Sequence, residues 1–164
     1  MSNWRLAALL AIIVSMSTPV SGEPIADLVV VNKAKRELLL MRGGKVLKSY
    51  RVALGRNPVG PKTRQGDGKT PEGVYSISGR NAASAFHRAL RVSYPNAADR
   101  AAARRHGLNP GGDIMIHGLP NGQGYIGPAH RLTDWTEGCI AVTNAEIEEI
   151  WRLVPDGAKV EINP

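Results

Sequence analysis

The apolar residues of this chain fall into short runs broken by turn residues. DLVVVN at 27–32 and RELLLM at 36–41 are two such runs, with a short turn over 32–35 between them. Arg42-Gly43-Gly44-Lys45 is a hairpin signal, and residues 46–54 read as a third strand. Three strands in such quick succession predict an antiparallel meander. The pattern then stops. Residues 55–69 carry Gly at 55, 60, 66 and 68 and Pro at 58 and 61, which predicts a flexible, basic loop. Thr70-Pro71-Glu72-Gly73 is a turn leading into a strand over 74–77.

The second half mixes periods. AADRAAARRH at 97–106, between Asn96 as candidate cap and Gly107 as stop, predicts a short helix. DIMIH at 113–117 reads as a buried strand, and the glycine-rich stretch 120–131 as a loop. Thr143 followed three residues later by Glu146 is a capping box. Ile147, Ile150, Trp151 and Val154 recur at i, i+3, i+4 and i+7 and predict one apolar helix face. Asp156-Gly157 ends that helix, and 159–162 is a closing strand. Many short strands with a few short helices predict a mainly β, single sandwich- or barrel-like domain. The excursion at 82–112 is expected to be either a lid or a packed insertion.

The first residues follow a different logic. Arg5, an apolar run over 6–16 and the small residues Val20-Ser21-Gly22 predict a secretory signal peptide over 1–22, leaving a domain over 23–164. Export to the periplasm or cell envelope is then expected, with membrane attachment only if the leader stays uncleaved. The apolar run is shorter than the roughly 20 residues of an ordinary span.

The 164 residues carry a formal net charge of +7. Eleven Lys/Arg and only two acids, Glu37 and Asp67, lie between Lys33 and Lys69. Such a balance favours anionic partners. Nucleic acid is not the expected one, because Tyr50 is the sole aromatic in that stretch and no stacking platform is apparent.

Cys139 is the single cysteine, so no internal disulfide can form. A lone exported thiol is exposed to oxidation, which asks for a reason to keep it. Gly138 before it permits a tight turn whose amides can form an oxyanion hole. If the N-terminus of the Thr143-capped helix faces the thiol, its positive end favours the thiolate. Among the four histidines, His117 is the candidate base, since it ends an apolar strand and precedes Gly118. His106 and His130 are expected to be solvated, and His87 has no partner motif. No metal is expected: neither C-x-x-C nor H-x-x-x-H occurs. No cofactor is expected, and a serine elbow G-x-S-x-G is absent from the sequence.

Taken in order, Thr70-Pro71-Glu72-Gly73-Val74, Ile116-His117-Gly118, Thr136-Glu137-Gly138-Cys139-Ile140 and Asp156-Gly157-Ala158-Lys159-Val160 resemble the L,D-transpeptidase (YkuD) catalytic domain over roughly residues 28–162. The resemblance implies Cys139 as nucleophile and His117 as base, its ring oriented by a main-chain carbonyl such as that of Gly118. It implies Gly138, Gly118 and Thr136 around the oxyanion and substrate, and Arg131 is expected to join them in binding the substrate. It further implies attack on the bond between a diaminopimelate and a D-alanine in a peptidoglycan tetrapeptide stem, through a Cys thioester. A monomer without metal or cofactor is expected.

Two positions depart from the family pattern: Glu137 stands where a histidine is usual, and Ala141 where an arginine is usual. Arg131 or Arg104 is expected to replace the missing cation. The segment Gly138-Cys139-Ile140-Ala141-Val142-Thr143-Asn144 matches a branch that includes cleavage of protein–peptidoglycan bonds. Transpeptidation, hydrolysis at the same site, and a non-catalytic cell-wall-binding module remain the alternatives.

Overall fold

In the first strands every second residue is apolar enough to bury, and the structure uses that alternation. The computed structural model describes residues 25–164, so the expected leader at 1–22 lies outside the described residues. Strands β1 (Leu28–Asn32), β2 (Glu37–Arg42) and β3 (Lys45–Arg51) form the predicted antiparallel meander, with a register shift at Leu40/Met41. Val29, Val31, Leu38 and Leu40 lie wholly inside. Each contributes roughly 1.5–3 kcal/mol by leaving water.

The remaining strands are β4 (Gly73–Ser84), β5 (His87–Val92), β6 (Met115–His117), β7 (Ile140–Ala141) and β8 (Lys159–Asn163). They give one eight-stranded sheet in the order β3-β2-β1-β8-β4-β5-β6-β7. The first half of β4 pairs with β8 and its second half with β5, so this long strand joins two halves of the sheet. The two ends then meet. Beyond β3, Ala53 N–H donates to Ala141 O at 3.0 Å and Ala141 N–H to Ala53 O at 2.9 Å. The mainly β, barrel-like class predicted above is the class observed.

The excursion at 82–112 is no insertion, because it supplies β5, a central strand, and helix α1 (Ala97–Arg105). In α1, Asn96 and Asp99 close a capping box. Residues 124–132, expected as loop, form a 3₁₀ segment interrupted at Gly127. Helix α2 (Asn144–Leu153) starts at the predicted Thr143–Glu146 box. Its buried face is Ile147, Ile150 and Leu153, with Val154 buried just beyond. Trp151 lies at the margin of that face, beneath the guanidinium groups of Arg80 and Arg88 at 4.8 and 4.9 Å.

The loop over 55–69 is tied down rather than flexible. Asp67 accepts hydrogen bonds from the amides of Thr63, Arg64 and Lys69 at 2.9, 3.1 and 3.0 Å and pairs with the buried Lys62 ammonium at 2.8 Å. These donors hold the Asp67 carboxyl at a pKa of about 2 despite its burial.

Candidate active site

Sheet register decides what faces the cleft. Residues opposite one another in a ladder point to the same face. Leu90, Ile116 and Ile140 form one row and are fully buried in the core that α2 covers. The rows on the other face are Asn81–Ala89–His117–Ala141 and Gly79–Arg91–Met115. A cavity of about 610 Å³ opens on that face, and Asn81, Phe86, Arg91, Met115, His117, Trp135, Thr136 and Cys139 are among its lining. Cys139 also lines a second cavity of about 380 Å³ with Lys62, Gln65, Asp113 and Glu137. The thiol therefore sits where two cavities meet.

His117 is 3% exposed and ends β6. Its Nδ1 lies 2.7 Å from the Gly118 carbonyl oxygen. A carbonyl only accepts, so Nδ1 carries the proton and Nε2 is left as the basic nitrogen. The ring packs against Phe86 at 4.5 Å and Trp135 at 5.8 Å between centroids. Burial lowers its pKa from the ordinary 6.5, with the Gly118 bond opposing. The imidazole is thus neutral at physiological pH.

Cys139 is half-buried, and its thiol donates to the Asp113 carbonyl at 3.4 Å. Burial raises its pKa above the ordinary 9.0, while the Met115 amide and Lys62 pull the other way. Thiol and imidazole are both neutral at rest. Alkylation of Cys139 by iodoacetamide should accordingly be slow at pH 7 and climb about tenfold per pH unit toward pH 9. A flat rate profile from pH 5 to 8 would instead mark a preformed thiolate–imidazolium pair.

The turn carrying the thiol is held from two sides. Thr136 Oγ1 accepts from Gly138 N–H at 3.1 Å and donates to the Cys139 carbonyl at 2.8 Å. The Gly138 amide is thereby committed to Thr136. Gly138 itself has φ +132°, and a Cβ there would stand 2.5 Å from the Lys69 carbonyl oxygen. The pinned basic loop is a buttress behind the nucleophile.

Other expected residues lie elsewhere. Arg131 is paired with Glu146, whose Oε1 is 2.5 Å from its guanidinium, and neither Arg131 nor Arg104 is among the residues lining the two cavities. The reason is the α2 capping box, whose carboxylate draws Arg131 inward. The start of α2 does not line the cavities either: Glu146 closes on the Thr143 amide, and Asn144 accepts from Leu119 N–H at 2.8 Å. His130, expected in solvent, is buried at 8% exposure, accepts from Trp135 Nε1–H at 3.3 Å, and has its pKa lowered to about 4 chiefly by burial. His106 is exposed as expected, and His87 pairs with Glu148 at 2.7 Å. The sequence reading missed Phe86, Arg91, Asp113, Trp135 and Lys62. Asp67, one of two acids in a basic stretch, was the signal for the last. Among the described residues, no cluster of three or more His, Cys, Asp or Glu could hold a metal ion.

Comparison with known proteins follows the same lines. The family model of the L,D-transpeptidase catalytic domain (YkuD) matches residues 26–162. The candidate L,D-transpeptidase YafK of Escherichia coli (strain K12) is 34% identical over 154 residues, covering 85% of this chain and 54% of that protein. The chain thus spans about half the length of that relative. The crystal structure of the helical cell shape determining protein Pgp2 from Campylobacter jejuni is 26% identical with a TM-score of 0.65, over 85% of this chain and 48% of that one. An L,D-transpeptidase from Mycobacterium smegmatis shares the fold at 14% identity and a TM-score of 0.56, over 85% of this chain and 59% of that one. With the family model spanning nearly all of the described residues, the chain belongs to the L,D-transpeptidase catalytic domain (YkuD) family.

Proposed function

We propose that this chain is an exported cell-wall enzyme that transfers peptidoglycan stem peptides through an acyl-thioester on Cys139. The observation that carries the reading is the presence on one cleft of a half-buried thiol and an imidazole whose Nδ1 is spent on a backbone carbonyl. That tautomer leaves Nε2 to take the thiol proton as sulfur attacks the carbonyl. Neutral reactants suit this order, with the charged pair forming only in the transition state. The same nitrogen then returns the proton to the departing amine of D-alanine. An amine acceptor next attacks the thioester, with His117 as base again.

With Gly138 N–H bonded to Thr136, the Cys139 amide is a donor the turn can offer the oxyanion, so Gly138 acts by shaping the turn and Gly118 by orienting the ring. Thr136 holds the turn closed. The apolar walls, Phe86, Met115 and Trp135, exclude water and suit the aliphatic part of a stem. The proposed site lies within a domain over 23–164, acting on peptidoglycan stems as a monomer in the periplasm or cell envelope.

Hydrolysis is the second reading, since water reaching the same thioester gives a carboxypeptidase. Incubation with a tetrapeptide stem should release D-alanine. A millimolar amine acceptor should divert product from free tripeptide to the amide if transfer is the reaction. Tripeptide as the only product at every acceptor concentration would assign hydrolysis, and no released D-alanine would overturn both readings.

A further inference from the structure

The larger cavity needs a way to hold a charged peptide in register, and one cation lines it. Arg91 is the single Lys or Arg among the residues around the 610 Å³ cavity that contains Cys139 and His117. Its place is fixed by the sheet: Arg91 pairs with Met115 on β6 and Gly79 on β4, one row along from the His117 row. Rows on one face of a strand are about 7 Å apart. Gly79 has no side chain to crowd the guanidinium. The position expected to hold a cation, 141, carries a fully buried alanine in the His117 row.

The present partner of Arg91 is the Asp113 carboxylate, with both side chains substantially exposed at 48% and 78%. An exposed pair of this kind is weak, so an incoming carboxylate can replace Asp113 at little cost. The guanidinium fork matches a carboxylate in bidentate fashion. An extended peptide advances about 3.3–3.6 Å per residue. A carboxylate one or two residues from the scissile carbonyl can therefore reach the row that carries Arg91.

We infer that Arg91 is the carboxylate anchor of the substrate cleft, with Asp113 as an internal carboxylate that occupies it until a stem peptide arrives. The inference rests on the proposed peptide-stem function. Two stem carboxylates have the required chemistry: the C-terminal one of D-alanine and the free one on the diamino acid. Arg91 is a binding residue here, and Asp113 a competitor for it. The exchange also acts on the segment whose main-chain carbonyl, that of Asp113, holds the resting thiol proton.

The test is a binding comparison in the full chain carrying Cys139→Ala, so that nothing turns over. Calorimetry would measure three synthetic tetrapeptide stems: the parent, one amidated at the C-terminus, and one amidated at the diamino-acid carboxylate. Amidation at the anchored position should weaken binding roughly 10- to 100-fold, and that peptide identifies the carboxylate. Adding Arg91→Gln should weaken the parent by the same factor and leave the weakened amide unchanged. Asp113→Asn, which tolerates the same φ of +55°, should tighten the parent roughly two- to five-fold by removing the competitor. A purely structural ion pair predicts instead that Arg91→Gln and Asp113→Asn fail alike, and that result overturns the inference. Equal binding of all three peptides to the Cys139→Ala chain overturns it too. If that chain binds none of them, the peptide-stem reading itself has failed, and the anchor with it.

Discussion

Replacing Cys139 by alanine should abolish release of D-alanine from tetrapeptide stems, lowering kcat/KM at least about 10⁴-fold. The fold should stay, with Tm within about 4 °C of wild type. The thiol makes one weak hydrogen bond, to the Asp113 carbonyl, and is half-buried, so its removal leaves a small gap beside an existing cavity. No other nucleophile with a neighbouring base lines that cavity, since Ser84 and Thr136 are the only other hydroxyl side chains there and Thr136 is bonded to Cys139 O and Gly138 N. Residual catalysis would then come from substrate binding and oxyanion donors alone. Activity in the alanine variant above a hundredth of wild type would contradict covalent catalysis through this sulfur.

Gly138→Ala is expected to damage both stability and activity. At φ +132° an L side chain is strained wherever its atoms point, at a cost of about 1–3 kcal/mol. Here the new Cβ also meets the Lys69 carbonyl oxygen at 2.5 Å, and Ile114 at 3.1 Å. The oxygen belongs to backbone pinned by Asp67 through the Lys69 amide, so it cannot easily retreat. Relief must come from moving the 136–139 turn, which carries the thiol. A loss of roughly 2–5 kcal/mol follows, on the order of 10 °C in Tm, with turnover reduced 100-fold or more for a displacement near 1 Å. Gly118→Ala is the comparison. Its φ is ordinary, but a Cβ would approach Asn144 Oδ1 at 2.7 Å. Its closest contact is a side-chain amide, the nearest backbone atom, Phe86 O, stands at 3.1 Å rather than 2.5 Å, and no positive φ adds strain, so this variant should lose less stability. Equal thermal unfolding of Gly138→Ala and wild type would show that the turn tolerates a side chain.

Different physics wrote different segments of this chain, and only some of it is readable in one dimension. β1, β2 and α2 were legible because one face of each is buried, so apolar residues recur with periods of 2 and 3.6. β5 was not. Its core-facing Leu90 and Val92 alternate with Ala89 and Arg91, which face the cleft, and His87 and Arg88 at its start hide the period. The strand that builds the site thus concealed itself by carrying site residues. Cys139 and His117 stood out through their local motifs. Arg91 and Phe86 did not, because their place comes from ladder register and from a hairpin that folds back over His117, nor did Trp135, which reaches His117 from the irregular segment before β7. Arg131 looked free in one dimension and is claimed by Glu146 in three. The loop over 55–69 read as flexible from its glycines and prolines. It is held instead by one aspartate whose hydrogen bonds leave no periodic trace.

Catalysis through a thioester requires a covalent bond between the stem's acyl group and the Cys139 sulfur. Intact-mass spectrometry of protein quenched during turnover of a tetrapeptide stem tests it directly. The expected result is a mass gain equal to the stem's tripeptide acyl group, located by digestion on the peptide containing Cys139 and absent from the Cys139→Ala chain. D-alanine release at a normal rate with no adduct at that residue, and no loss of rate in the alanine variant, would contradict it.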